Sequence, residues 1–182
     1  MPSITFQPLQ RLSPAELLAF SQLNQGLICE MNTNGSIVLK TPDALRYNRL
    51  VEKISQALHS WNEQAEDGVV LDIKTGYALS NGAVRHPALS WVKLYKMNTQ
   101  FEHLLETTPD FFVEILTEAQ SMNPMLLKMR EYMLNGALLG WLIDLNTERV
   151  YIFKNDGTEQ VVDGFQEVLI GEGVLRGFEL RL

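Results

Sequence analysis

The sequence predicts a mixed α/β (α+β) domain, a mixed central β-sheet flanked by helices. Three observations carry that prediction. An apolar repeat at helical spacing runs through residues 44–66. Two Asn-Gly pairs, Asn34-Gly35 and Asn81-Gly82, each sit between strand-like runs. The segments follow the order helix, hairpin, long helix, several strands, helix, strands. Strict strand–helix alternation, which a doubly wound dinucleotide-binding sheet needs, is absent.

Each element has its own signal. Ser13-Pro14-Ala15-Glu16 starts a helix: Ser13 can cap, Pro14 suits the first turn, and Glu16 completes a capping box. Leu17, Leu18, Phe20 and Leu23 give that helix an apolar face. Residues 28–31 and 36–40 read as a hairpin around Asn34-Gly35. The long helix from Ala44 to about Glu66 carries Leu50, Ile54, Leu58 and Trp61, and Gly68 ends it. Residues 69–73, 77–79, 84 onward and 89–94 read as strands, and 98–106 as a short helix. Residues 111–116 form an apolar strand. Asn123-Pro124 opens a helix with Leu127, Tyr132 and Leu134 on its face, ending at Asn135-Gly136. Residues 139–145 and 149–154 pair as a hairpin, and the tail adds short strands ending at Phe178-Glu179-Leu180.

The 182 residues contain no linker, repeat or low-complexity stretch, so residues 1–182 are expected to form one domain. A hydrophobic fraction of 46% and a charged fraction of 20% suit a folded core. The net charge of −7 is the wrong sign for a protein that holds nucleic acid through phosphate contacts. DNA binding would need a local basic surface, a bound cation or a basic partner. The one cysteine, Cys29, lies in an apolar stretch and reads as core. It excludes an internal disulfide. The first residues lack a signal-peptide pattern and no run approaches a membrane span, so a cytoplasmic protein without membrane contact is expected.

Several chemistries lack their motifs. There is no Gly-rich phosphate loop, no Gly-x-Ser-x-Gly elbow and no His-Glu-x-x-His pair, and His59, His86 and His103 are scattered. Carboxylate-based metal chemistry remains open.

Four segments point further: 72–82, 85–92, 109–114 and 128–144. They contain Asp72-Ile-Lys-Thr-Gly76-Tyr77, Arg85-His-Pro87-Ala88, Pro109-Asp110-Phe-Phe-Val-Glu114 and Lys128-Met-Arg-Glu131-Tyr132, the last running on to Asp144. Together they resemble the Uma-two family of endonucleases in the PD-(D/E)XK nuclease superfamily. The resemblance spans about Leu12 to Leu182. It implies a restriction-endonuclease-like fold, DNA as a partner, a homodimer, and phosphodiester hydrolysis that depends on Mg²⁺ or Mn²⁺. Such a hard cation wants two or three carboxylates around it. It polarises the phosphate and lowers the pKa of the attacking water, while a lysine steadies developing charge.

Carried over by position, the resemblance makes Glu30 and Glu114 metal-binding acids. It gives Glu114 and Lys128 catalytic roles. The aspartate expected in the Arg-x-Pro-Asp segment is Ala88, a side chain with no lone pair. Two flanking loops also depart from the family pattern, at Thr117-Glu118-Ala119-Gln120 and Thr41-Pro42-Asp43-Ala44-Leu45. The metal site is therefore expected to be degraded, with weak or absent activity. Asp72 is a possible substitute ligand. Asp110 is not: on one strand it lies about 13 Å from Glu114, too far to share an ion.

Other readings stand beside these. Glu114 is a site acid or a buried partner of Lys128 or Arg130. Glu30 is a site acid or a solvated hairpin residue, and Lys128 a site residue or a surface lysine. Trp91 and Trp141 read as core. Arg46, Arg49 and Lys53 read as a solvated helix face. A non-catalytic, dimeric interaction or regulatory module is the alternative from a different class.

Overall fold

The structure is a computed structural model and describes residues 3–24, 26–41, 45–97 and 103–182. The first strand, β1 (Ser3–Phe6), is followed by helix α1 (Pro14–Leu23), then β2 (Ile28–Met31) and β3 (Ile37–Lys40). The long helix α2 (Leu45–Ala65) leads to β4 (Gly68–Asp72), β5 (Gly76–Ala78), β6 (Val84–Arg85) and β7 (Leu89–Lys93). Then come β8 (Leu104–Leu105), β9 (Phe111–Leu116), α3 (Met122–Leu134), β10 (Leu139–Asp144) and β11 (Arg149–Lys154). The chain closes with β12 (Glu159–Asp163), β13 (Val168–Ile170) and β14 (Glu179–Arg181).

Among the described residues the strands form two six-stranded sheets, ordered β1-β3-β2-β6-β5-β8 and β12-β11-β10-β9-β7-β4, plus a β13–β14 ribbon. Both large sheets are mixed: β5 and β8 run parallel, as do β9 and β10. The mixed α/β class is the one expected, with the sheet divided in two.

Alternation along β9 decides which helix packs where. Phe111, Val113 and Ile115 join Tyr47, Leu50, Ile54 and Leu58 of α2 in one core. Phe112 and Leu116 pack with Met125, Met129 and Tyr132 of α3 and with Tyr77 of the other sheet. Helix α3 thus fills the seam between the sheets. On the far side of the first sheet, Leu17 of α1 packs on Cys29, Met31, Ile37 and Val84. Trp91 and Trp141 are fully buried core, as expected.

The local signals hold at the turns. The Ser13–Glu16 capping box forms, with Ser13 N–H donating to Glu16 Oε2 at 2.7 Å and Glu16 N–H to Ser13 Oγ at 3.2 Å. Gly35 and Gly82 both turn through φ +84°, the left-handed geometry their Asn-Gly hairpins need.

Three expectations need correction. The apolar stripe of α1 is not buried throughout, since Leu23 at its end is 86% exposed. On α3, Leu127 and Leu134 face solvent and Met125, Met129 and Tyr132 are buried instead. Leu127 lies about 200° around the helix from Met125, so both cannot face one core. The helix expected over 98–106 does not form where the chain is described. Leu104 and Leu105 make a short strand instead, burying their side chains in different cores. Residues 98–102 lie outside the described residues, as do 42–44, which hold the expected start of the long helix and most of the altered loop before it.

Candidate functional site

Sheet pleat and helix pitch bring four distant segments to one cleft. Glu30 on β2 pairs with Val38 on β3, and Ile28 with Lys40, so Lys40 sits diagonally across from Glu30 on the same face. Glu114 occupies the β9 face that meets α3. Lys128 lies one turn before Tyr132 on α3, with Nζ 5.9 Å from the Tyr132 ring centroid. Arg85 ends β6, beside β2. A cleft of about 530 Å³ opens over these residues, lined by Glu30, Lys40, Arg85, Lys128 and Glu131 among others.

Glu30 is the hub. Its Oε1 accepts from Lys40 Nζ at 2.7 Å, Lys128 Nζ at 2.8 Å and the His86 backbone N–H at 3.0 Å. Arg85 lies 3.9 Å from its other oxygen. Lys128 also reaches Glu114 at 2.5 Å, and the Tyr132 hydroxyl donates to Glu114 at 3.3 Å. One ammonium therefore binds both carboxylates. Arg85 in turn donates to Glu131 at 2.6 Å and to Asn32 at 2.9 Å. Three carboxylates face three cations, and the cluster is neutral as a whole.

Burial makes these pairings matter, because Glu30, Glu114, Lys40 and Arg85 are all buried. Burial alone would raise the Glu30 carboxyl, yet Lys128, Lys40 and Arg85 hold it well below the usual carboxylate range. Burial lowers Lys40 to about 8, against the pull of Glu30 and with the push of neighbouring Lys128. Lys128 moves the other way despite its burial, because it has both Glu114 and Glu30 as partners. Burial, then the charges of Glu114 and Glu30, drive the Tyr132 phenol well up. Burial pulls the His86 imidazole below its ordinary value, against the charge of Glu30.

Glu30, Glu114 and Lys128 thus converge. The backbone of Ala88 runs close by, donating its N–H to the Val113 carbonyl, one residue before Glu114, but its methyl group is buried in the core on the α2 side with Val113. Asp72 does not join the cluster. It pairs with Leu89, which pairs with Val113, so it belongs to the sheet face opposite Glu114. It is exposed, and its carboxylate accepts the Lys74 N–H at 3.0 Å. Asp110 takes Lys96 at 2.9 Å, and Arg130 takes Glu159 at 2.8 Å, both away from the cluster. Arg46, Arg49 and Lys53 lie on the exposed side of α2.

Lys40 and Glu131 were not singled out as site residues by sequence, nor was Arg85. The register of the Asn34-Gly35 hairpin was the available signal for Lys40.

The donor set bears on metal binding. Among the described residues no three His, Cys, Asp or Glu side chains gather as a metal site. Glu30 and Glu114 supply two carboxylates, both already held by Lys128, and Ala88 supplies no donor.

The profile of a family named Uma2, described as "Putative restriction endonuclease", matches residues 14–182. A crystal structure described as "a putative nuclease belonging to DUF820" from Anabaena variabilis superposes with a TM-score of 0.73. The match covers 84% of this chain and 86% of that one at 16% identity, so the likeness is one of fold. No curated protein matches the chain significantly. No described helix is long and apolar enough to cross a membrane.

Proposed function

The chain belongs to the Uma2 family, and from that premise we propose that it is a DNA endonuclease relative whose metal centre has given way to internal ion pairs. Mg²⁺- or Mn²⁺-dependent cleavage is then weak or absent. The observation that carries this reading is the Lys128 ammonium bonded to both Glu30 and Glu114. Mg²⁺ demands near-octahedral oxygen coordination. The cluster offers two carboxylates and fills the space between them with an ammonium, and Ala88 supplies no donor. The residues present do not fit the cation, so no catalytic step is assigned through it.

The charge balance supports the same reading. Lys40, Arg85 and Lys128 are matched by Glu30, Glu114 and Glu131, which leaves little net positive potential for a phosphate. The position of Asp72 on the opposite sheet face argues against its recruitment as a substitute ligand.

A plasmid-nicking assay with Mg²⁺ or Mn²⁺ tests the proposal. The expected result is no cleavage above background for the chain or for Glu114→Ala. Robust cleavage that vanishes in Glu114→Ala would overturn it.

A second reading, a non-catalytic dimeric module, draws on β1. This edge strand has all four residues exposed, Ile4 at 69%, and carries no charge or proline to block pairing. Light scattering on a size-exclusion column would give a monomer mass if that reading is wrong.

A further inference from the structure

We propose that Asn81 is a modification site: deamidation at Asn81-Gly82 turns a neutral anchor of helix α3 into a like charge beside Glu131, and so loosens the outer arm of the ion-pair cluster. The residue is exposed, at the tip of the hairpin that joins β5 to β6. The pair Asn-Gly favours the reaction, because glycine has no side chain to shield its backbone nitrogen. The Gly82 nitrogen bonds to Asn81 Cγ and gives up its proton, and ammonia leaves, closing a five-membered imide. Water then opens the imide at either carbonyl, giving aspartate or isoaspartate. One water is consumed and one ammonia released. No metal and no nucleic acid takes part, so the step stands apart from any cleavage at Glu30.

The fold sets the rate. Gly82 N–H donates to the Leu79 carbonyl at 2.9 Å, and Asn81 Oδ1 accepts the Ala83 N–H at 3.0 Å. Both bonds must open before the nitrogen can reach Cγ. A surface hairpin opens locally at less cost than the whole chain, so the reaction runs in the folded protein but slowly.

The geometry also sets the consequence. Asn81 Nδ2 donates to Glu131 Oε1 at 3.1 Å, and the other Glu131 oxygen holds Arg85 at 2.6 Å. Arg85 reaches on to Asn32 Oδ1 at 2.9 Å. After deamidation an oxygen stands where that amide donated, and a carboxylate has no proton to offer another carboxylate. A cluster of three cations and three carboxylates then carries a fourth negative charge at its outer end. Asn34-Gly35 is a control within the same chain. The bonds described for the Asn34 side chain all use its oxygen, which accepts Ser36 N–H at 3.0 Å and Ser36 Oγ at 2.8 Å. An aspartate there would accept them equally well.

The test has two arms. Peptide mass mapping of the full chain at mildly alkaline pH follows Asn, Asp and isoaspartate at position 81, with a urea-unfolded sample giving the unprotected rate. Both products are expected to accumulate in the folded chain, more slowly than in urea. If position 81 is still Asn when the unfolded sample has converted completely, the proposal falls. The second arm measures urea unfolding of variants. Asn81→Asp is expected to lower the folding equilibrium constant about fivefold, and Asn34→Asp to leave it unchanged. In a Glu131→Gln background Asn81→Asp should cost nothing further. No loss in Asn81→Asp, the same loss in both backgrounds, or an equal loss in Asn34→Asp would overturn the assignment.

Discussion

Lys128 Nζ lies 2.8 Å from Glu30 Oε1, tying helix α3 to the first hairpin across 98 residues of chain. The same Nζ holds Glu114. Lys128→Met would leave Glu114 buried without its bonded cation, holding the Tyr132 hydroxyl and close to a second carboxylate. The expected loss is about 3–5 kcal/mol, the range for breaking a buried pair from one side. Urea unfolding measures it. Adding Glu114→Gln should restore part of the loss, because the orphaned charge is gone. Strictly additive losses would mean that the two side chains do not interact.

Stability should depend on pH in three windows of known sign. Glu30 is held well below its unfolded pKa of about 4.3. In acid the unfolded chain binds the extra proton, so this contribution is complete above about pH 4.3 and is lost as pH falls further. Lys40 has a folded pKa of about 8. Against an unfolded value of about 10.4, the unfolded chain again binds more protons between the two, so stability rises across that window. Lys128, raised above its ordinary value, contributes fully below about pH 10.4 and loses its contribution beyond it. Calorimetric melting from pH 3 to 10 should therefore show an acid loss and an alkaline gain. Lys40→Met should abolish the gain and keep the loss.

How much of this was readable from sequence follows from the range of each interaction. The Asn34-Gly35 and Asn81-Gly82 hairpins were readable because a two-residue turn is a local demand on φ. The division into two sheets was not, since the pairing of β2 with β6 joins segments that share no local signal. On α3 the leucines misled: methionines fill the irregular seam between sheets, while Leu127 points away. At the site, the resemblance supplied Glu30, Glu114 and Lys128 as positions, but sequence left open whether Lys128 or Arg130 would meet Glu114. The helix phase decides it, since Lys128 and Tyr132 stand one above the other and Arg130 lies on the outer face with Glu159. Lys40 had only hairpin register to announce it.

Ala88→Asp asks whether the missing carboxylate is what keeps a divalent cation out. The position is 2% exposed, and the nearby cluster is already neutral. A new buried carboxylate should lower the melting temperature in EDTA, for want of a cation. Mn²⁺ should return stability to the variant by mass action, about 2.7 kcal/mol at a concentration one hundred times its Kd. The unsubstituted chain should not respond. Equal Mn²⁺ stabilisation of both proteins, read by scanning calorimetry, would contradict the proposed loss of the site.

Gly140 sets how closely α3 approaches the second sheet. It pairs with Phe112 across the parallel β9–β10 ladder. A Cβ at Gly140 would lie 2.4 Å from Phe112 Cζ and 3.0 Å from Met129 Cε. Met129 is flexible and could yield. The Phe112 ring cannot, because it is fully buried and packed against Tyr132, ring centroids 4.2 Å apart and tilted by 32°, the residue that also bonds Glu114. Gly140→Ala should therefore cost about 1–3 kcal/mol through overpacking. Phe112→Leu in the same chain should recover part of that cost by opening space at the clash, whereas Met129→Leu should not. Urea unfolding of the single and double variants separates these outcomes. If Gly140→Ala alone were neutral, the seam would be looser than the Phe112 contact implies, and α3 would not be held rigidly enough to fix Lys128 between its two carboxylates.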